Sequence, residues 1–209
     1  MTRIVFVANS IDEMGGAQRV VHHLAQELSL SGFDVDVIGI VPHGAGHQFI
    51  ESPAYRQFTL GDRPSPARDD LQGTADLRAM CVKNLESALT DGPPGIIVAA
   101  QLWALEHVLE VPHSTWHVIG QYHSSFEAAR SNGDLERAMA AAAQIDAFVL
   151  LTQADADRFT ASGLNNTRAI GNAVPFFPKL PAALASQTIT YLGRLSREKG
   201  PTFLLRAWE

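Results

Sequence analysis

Short runs of continuous apolar, largely β-branched residues alternate along this chain with segments of helical periodicity. Ile4–Ala8 is the first such run. It reads as a strand buried on both faces, as the strands of a parallel sheet are. Val20, Val21, Leu24 and Leu28 then recur at helical spacing over Ala17–Ser31, and Gly32 stands where a helix commonly ends. Val35–Ile40 supplies the next strand, which completes a βαβ unit with parallel neighbours. The pattern goes on through Tyr55–Leu60, a helix carrying Leu77, Cys81, Leu85 and Leu89, and a strand at Ile96–Ala100. A short helix to Glu110, strands at Thr115–Gln121 and Ile145–Leu151, and helices at Leu135–Ala143 and Ala154–Ala161 follow. Arg168–Ala173 reads as a last short strand. The expected fold is α/β, a doubly wound Rossmann-like parallel sheet.

At 209 residues the chain is long enough for one full domain and a piece of another. Residues 1–174 read as the first domain, and 175–186, with Pro175, Pro178 and Pro181, as a linker. Residues 187–209 read as the opening strand (Thr188–Leu192) and helix (Pro201–Trp208) of a second domain. One strand and one helix cannot bury a core. The polypeptide therefore reads as part of a longer protein.

The net charge of −6 argues against nucleic acid or an anionic membrane as the main partner. A single cysteine, Cys81, excludes an internal disulfide and fits a reducing compartment, and on an apolar helix face it reads as core. The expected location is the cytoplasm. His43 and His47 have ligand-like spacing, but Gly44 and Gly46 between them disfavour a helix. With no cysteine or carboxylate cluster beside the histidines, no metal site is expected.

Gly15 and Gly16 lie between the first strand and first helix, where ligands bind in open α/β sheets. Glycine lets a phosphate or sugar approach the backbone, although an ordinary tight turn has the same look. Neither a G-x-G-x-x-G nor a G-x-x-x-x-G-K-[ST] pattern is present, which disfavours dinucleotide oxidoreductases and P-loop NTPases. Near the other end, Arg194 and Lys199 flank a turn between a glycine-terminated strand and a helix, an arrangement suited to a diphosphate. His123 stands just past a strand end, where α/β folds carry catalytic groups, and a neutral imidazole there can contact a hydroxyl. Glu127 is either a polar neighbour of that site or the first acid of a helix. Asn172, in Ile170-Gly171-Asn172-Ala173-Val174, reads by itself as a turn residue.

Gly193-Arg194-Leu195-Ser196-Arg197-Glu198-Lys199-Gly200 resembles the signature that opens the C-terminal domain of retaining GT4 glycosyltransferases of GT-B fold. Gly15-Gly16-Ala17-Gln18-Arg19-Val20 resembles that family's N-terminal Gly-Gly loop. The resemblance implies two Rossmann-like domains, of which this chain holds the first and the start of the second. It implies transfer of a sugar from a nucleotide sugar, UDP-linked, to a carbohydrate or lipid-linked acceptor in cell-surface glycan, teichoic acid or glycolipid synthesis. Arg194 and Lys199 would neutralise the donor diphosphate, Gly15 and Gly16 would approach it from the other side, and His123 would contact sugar or acceptor. No cofactor or metal is implied. Peripheral association with the inner membrane face, and self-association of the chain, are further expectations. The resemblance also implies a place at a cleft edge for Asn172, whose segment departs from the family's Pro-Asn-Gly-Val pattern at Gly171 and Ala173. The family's E-x7-E signature does not occur in these residues, so the chain alone is expected to be inactive. The rival readings are a non-catalytic nucleotide- or sugar-binding α/β module and a GT-B sugar-nucleotide epimerase.

Overall fold

The structure is a computed structural model that describes residues 2–44, 46–67, 69–174, 178–180, 185, 187–193, 195 and 199–208. The chain divides into two compact units, Met1–Ala173 and Val174–Glu209.

The first unit is a seven-stranded, all-parallel sheet flanked by helices. Its strands are β1 (Arg3–Ala8), β2 (Asp34–Gly39), β3 (Arg56–Thr59), β4 (Ile96–Ala99), β5 (His117–Tyr122), β6 (Ala147–Leu150) and β7 (Thr167–Ala169). Its helices are α1 (Gly16–Leu30), α2 (Leu71–Thr90), α3 (Leu102–Leu109), α4 (Phe126–Asn132), α5 (Leu135–Ala142) and α6 (Gln153–Ala161). The strand order is β3-β2-β1-β4-β5-β6-β7, so the chain reverses its direction of winding between β1 and β4.

β1 is buried at every residue, Ile4–Ala8 as their continuous apolar sequence requires and Arg3 in an ion pair with Asp36. Its alternate side chains serve two cores. Val5 and Val7 pack with Leu77, Leu85, Ile97 and Leu105. Ile4, Phe6 and Ala8 pack with Val21, Ala25 and Val35 on the face covered by α1. α1 closes with the Gly32 N–H on the Ser29 carbonyl at 3.0 Å and the Phe33 N–H on the Leu28 carbonyl at 3.1 Å. Gly32 sits at φ +91, a conformation glycine adopts without steric cost.

At the amino-terminal end of the sheet an ion network centred on the buried Asp36 joins three strands, with Arg3 buried and Arg56 exposed. The Arg3 guanidinium donates to the Asp36 carboxylate at 3.1 Å and to the Ala88 carbonyl at 2.9 Å, and lies 5.4 Å from the Trp116 ring centroid. Arg56 donates from Nε to the other Asp36 oxygen at 2.7 Å. Two histidines are also buried. On α1, the His22 ring bridges the Tyr55 hydroxyl at 2.6 Å and the Ile11 carbonyl at 2.8 Å. A carbonyl only accepts, so Nε2 carries the proton and Nδ1 accepts from Tyr55. His107 on α3 holds the Trp103 carbonyl at 2.9 Å through Nδ1, while its Nε2 is enclosed without a partner among the described residues.

Several boundaries differ from the sequence expectation. α4 is a separate seven-residue helix, started by the Ser125 hydroxyl accepting from the Ala128 N–H. The last strand covers Thr167–Ala169 rather than Arg168–Ala173, because its ladder runs out with β6 at Leu150. In the second unit, α7 (Pro201–Trp208) forms as its periodicity predicts and buries none of its residues. The strand expected at Thr188–Leu192 is not formed. A strand needs a ladder partner, and this unit has no second strand among its described residues.

Replacing Asp36 by Ala strands the Arg3 charge in the core. Urea unfolding should show a loss of about 3–5 kcal/mol, the usual cost of breaking a buried pair from one side. Burial lowers the pKa of both His22 and His107 from the ordinary 6.5. The folded state then binds fewer protons than the unfolded state as pH falls below that value. Their contribution is complete above it and is lost on acidification. The urea midpoint should fall between about pH 7.5 and about pH 5.5, and His107→Leu should flatten that slope.

Candidate functional site

The reversal between β1 and β4 puts a crevice at the carboxyl ends of the strands, the place where open α/β sheets bind ligands. A cleft of about 320 Å³ lies there. Asn9 lines it from the end of β1, Ala17 from the start of α1, Gln101 and Trp103 from the start of α3, and Tyr122, His123 and Ser124 from the end of β5. Asn132, Asp134 and Arg137 close it from the α4–α5 corner.

Tertiary hydrogen bonds fix its floor. The Asn9 backbone N–H donates to Gln101 Oε1 at 2.9 Å, and Asn9 Oδ1 accepts from the Ala104 N–H in the first turn of α3 at 3.1 Å. Each side chain thereby ties β1 to α3. The loop from β1 to α1 is also held. The Ser10 hydroxyl donates to Asp12 Oδ1 at 2.6 Å, the His43 N–H donates to the same oxygen at 2.8 Å, and the His47 N–H donates to the Asp12 carbonyl at 2.9 Å. Burial alone would raise the Asp12 pKa, but the bonds from Ser10 and from backbone N–H groups outweigh it and hold the carboxyl below its usual value.

His123 follows β5 directly. Its Nε2 lies 3.3 Å from Gln121 Oε1, and its Nδ1 is enclosed without a partner among the described residues. Burial lowers its pKa, so the ring is neutral near pH 7. The neighbouring Tyr122 hydroxyl is enclosed and makes no well-formed hydrogen bond among the described residues. Burial raises its pKa, with Ser124 close enough to oppose the shift in part. On the opposite wall Arg137 donates to both Glu106 oxygens at 2.9 and 2.8 Å and to Asp134 at 2.8 Å. Asparagine, glutamine, aspartate, arginine and histidine around one tryptophan form a wall of paired donors and acceptors beside an apolar ring. Such a wall suits a polyhydroxylated ligand.

The sequence candidates fall as follows. Gly15 is the extended N-cap residue of α1, and Gly16 begins the helix with nothing within 4 Å of where a Cβ would stand. Both precede the cleft-lining Ala17. No side chain caps α1 and no acid occupies its first turn, so its N–H groups are open to an anion or a hydroxyl. Glu127 lies in the first turn of α4 and does not line the cleft. Its carboxylate pairs with Arg130 at 2.6 Å and Arg158 at 2.9 Å. Asn172 is exposed beyond β7, away from the cleft-lining set. Lys199 belongs to the second unit, just before α7, and Arg194 lies outside the described residues. Asn9, Gln101, Asp134 and Arg137 were not singled out from sequence. Asn9 and Gln101 share with His123 one legible signal, a polar residue directly after a buried apolar run.

A second hollow lies between α1, β3 and the loop 46–50, beside His22. Both His22 nitrogens are already engaged there, which leaves that ring no free chemistry. No group of histidine, cysteine or acidic residues suited to a metal ion occurs among the described residues. No described helix is long and apolar enough to cross a membrane.

An uncharacterised glycosyltransferase of Haemophilus influenzae is 28% identical over 213 residues, an alignment covering 100% of this chain and 58% of the relative. The chain thus spans little more than half the length of that curated relative. Among solved structures, S. aureus TarM in complex with fondaparinux, α-GlcNAc-glycerol and UDP superposes with a TM-score of 0.63 at 11% identity, over 86% of this chain and 64% of that one. Sucrose-phosphate synthase from Thermosynechococcus elongatus superposes with a TM-score of 0.59 at 16% identity, over 82% of this chain and 48% of that one. The lipopolysaccharide outer core galactosyltransferase WaaB gives 0.58 at 12% identity, over 83% and 46%. The fold is that of the N-terminal half of GT-B glycosyltransferases. A family model described as Glycosyltransferase Family 4 matches residues 14–176, nearly the whole seven-stranded unit, and the chain belongs to that family.

Proposed function

We propose that this chain forms the acceptor-side half of a retaining glycosyltransferase. It would move a sugar from a nucleotide-sugar donor, UDP-linked, to a hydroxyl acceptor in cell-surface glycan, teichoic acid or glycolipid synthesis. The observation that carries the reading is the cleft at the β1/β4 reversal, which brings the open start of α1 and the neutral His123 to one crevice. The S. aureus neighbour was solved with UDP and a glycosylated glycerol, which agrees with a UDP-linked donor here.

In this reading Gly15 and Gly16 admit the donor to the α1 terminus, and the helix pole stabilises charge that develops on the departing phosphate. Arg194 and Lys199 supply the cations for the diphosphate, so the reaction needs no metal. His123, neutral near pH 7, contacts the transferred sugar or orients the attacking hydroxyl. The acceptor attacks from the face the donor leaves, which retains the anomeric configuration. The protein works in the cytoplasm, at the inner membrane face where the acceptor is lipid-linked.

The test is sugar transfer by the protein carrying both halves. His123→Ala should lower kcat/KM about 100-fold or more with an unchanged thermal midpoint. Full turnover in that variant would favour a binding module instead. Gly16→Val, with nothing within 4 Å of the added Cβ, should fold normally and lose donor affinity. Unaltered donor affinity would remove the Gly-Gly loop from the site.

A further inference from the structure

The floor of the cleft has a chemical polarity that its hydrogen bonds dictate. Asn9 and Gln101 each face a backbone N–H, one at Gln101 Oε1 and one at Asn9 Oδ1. An N–H only donates, so the amide oxygen must be the atom turned toward it in both cases. The two NH2 groups are thereby fixed as the atoms left over. Neither has a partner among the described residues, and neither is enclosed. They stand beside the first turn of α3, whose N-cap, Gln101, makes no side-chain capping bond. The floor therefore offers donors only.

The charge around it opposes an anion. Arg137 is the one guanidinium among the described lining residues, and it is forked onto Glu106 and bonded to Asp134. Two carboxylates thus meet one cation. A phosphate here would face a net negative set of side chains, whereas hydroxyl oxygens would meet the amide donors at no such cost. Hydroxyls can also give their protons to Asp134 across the cleft, and Trp103 offers a ring for the C–H face of a sugar.

Resting on the transferase reading above, we infer that Asn9 and Gln101 are a specificity-determining pair: locked through their oxygens, their amide N–H groups bind hydroxyl oxygens of a neutral pyranose in the cleft. An ammonium group at that position would put donor against donor, and an anionic substituent would meet Asp134.

Conservative exchanges separate this role from a structural one. Asn9→Asp and Gln101→Glu keep the oxygen that accepts from Ala104 or from Asn9, and remove only the donor that faces the ligand. Acids at the start of α3 also suit its dipole. Both variants should keep the wild-type thermal midpoint or exceed it. Saturation-transfer NMR on the 209-residue chain, with methyl α-D-glucopyranoside, methyl α-D-galactopyranoside and methyl N-acetyl-α-D-glucosaminide as probes, should show binding of at least one. The affinity should fall tenfold or more in each variant, and inorganic phosphate should not displace the bound glycoside. Undiminished affinity in either variant, displacement by phosphate, or binding of none of the three glycosides by the wild-type chain would overturn the assignment. Those outcomes would leave the transferase reading standing, since that reading rests on turnover in the His123→Ala comparison.

Discussion

β1 is enclosed on both faces and along both edges, and the arrangement of the site follows from that enclosure. With β2 paired on one side of β1 and β4 on the other, the crossover through α1 into β2 and the crossover through α2 into β4 pack on opposite faces of the sheet. α1, which follows β1, and α3, which follows β4, therefore start on opposite faces at the carboxyl ends of these two neighbouring strands and leave a crevice. Nothing about the cleft is separable from this. Asn9 is the first residue that β1 cannot bury, and it emerges between the starts of both helices. The buried Arg3–Asp36 pair, joined from the surface by Arg56, anchors the same strand at its other end, where no ligand is expected.

This enclosure also explains what was legible in the sequence. A doubly buried strand is predominantly apolar, so β1 and β4 stood out by their apolar runs and β2 by Val35, Val37 and Ile38 around the ion-paired Asp36, and α1 followed from its one-sided periodicity. α4 did not, because its seven residues are too few to repeat a pattern and its start is set by capping and by Asp155 on α6, which accepts from the Phe126 N–H at 2.9 Å. The strand expected near residue 190 shows the converse. Local propensity at Thr188–Leu192 is real, but pairing is a tertiary event, and propensity without a partner yields no ladder. Edge strands such as β7 are short for the same reason.

The site was legible only in part. His123 was found by position, one residue past a strand end, and Gly15 and Gly16 by composition at a strand–helix turn. The polar residues that build the floor carry the same positional signal, yet their use depends on which backbone group each meets. Gln101 answers an N–H donated across 92 positions of sequence, and Asn9 one donated across 95. Glu127 shows the limit of position alone. It stands close to His123 in the chain, but a helix that begins in between turns it toward Arg130 and Arg158.

The helix starts in the first unit divide along the same line. Asp70 caps α2 through the Gly73 N–H, Ser125 caps α4, and Thr152 caps α6. Acidic residues occupy the first turns of α4, α5 and α6. α1 and α3 have neither a capping side chain of their own nor an acid in the first turn. An unfilled helix pole costs stability, on the order of 1 kcal/mol where a good cap is omitted. α1 carries that cost, whereas Asn9 Oδ1 fills the start of α3 through the Ala104 N–H; both helices open on the β1/β4 crevice. The uncapped start of α1 and the Asn9 and Gln101 amide N–H groups present donors at that crevice. On the proposed reading, hydroxyl oxygens of the ligand complete that set of donors.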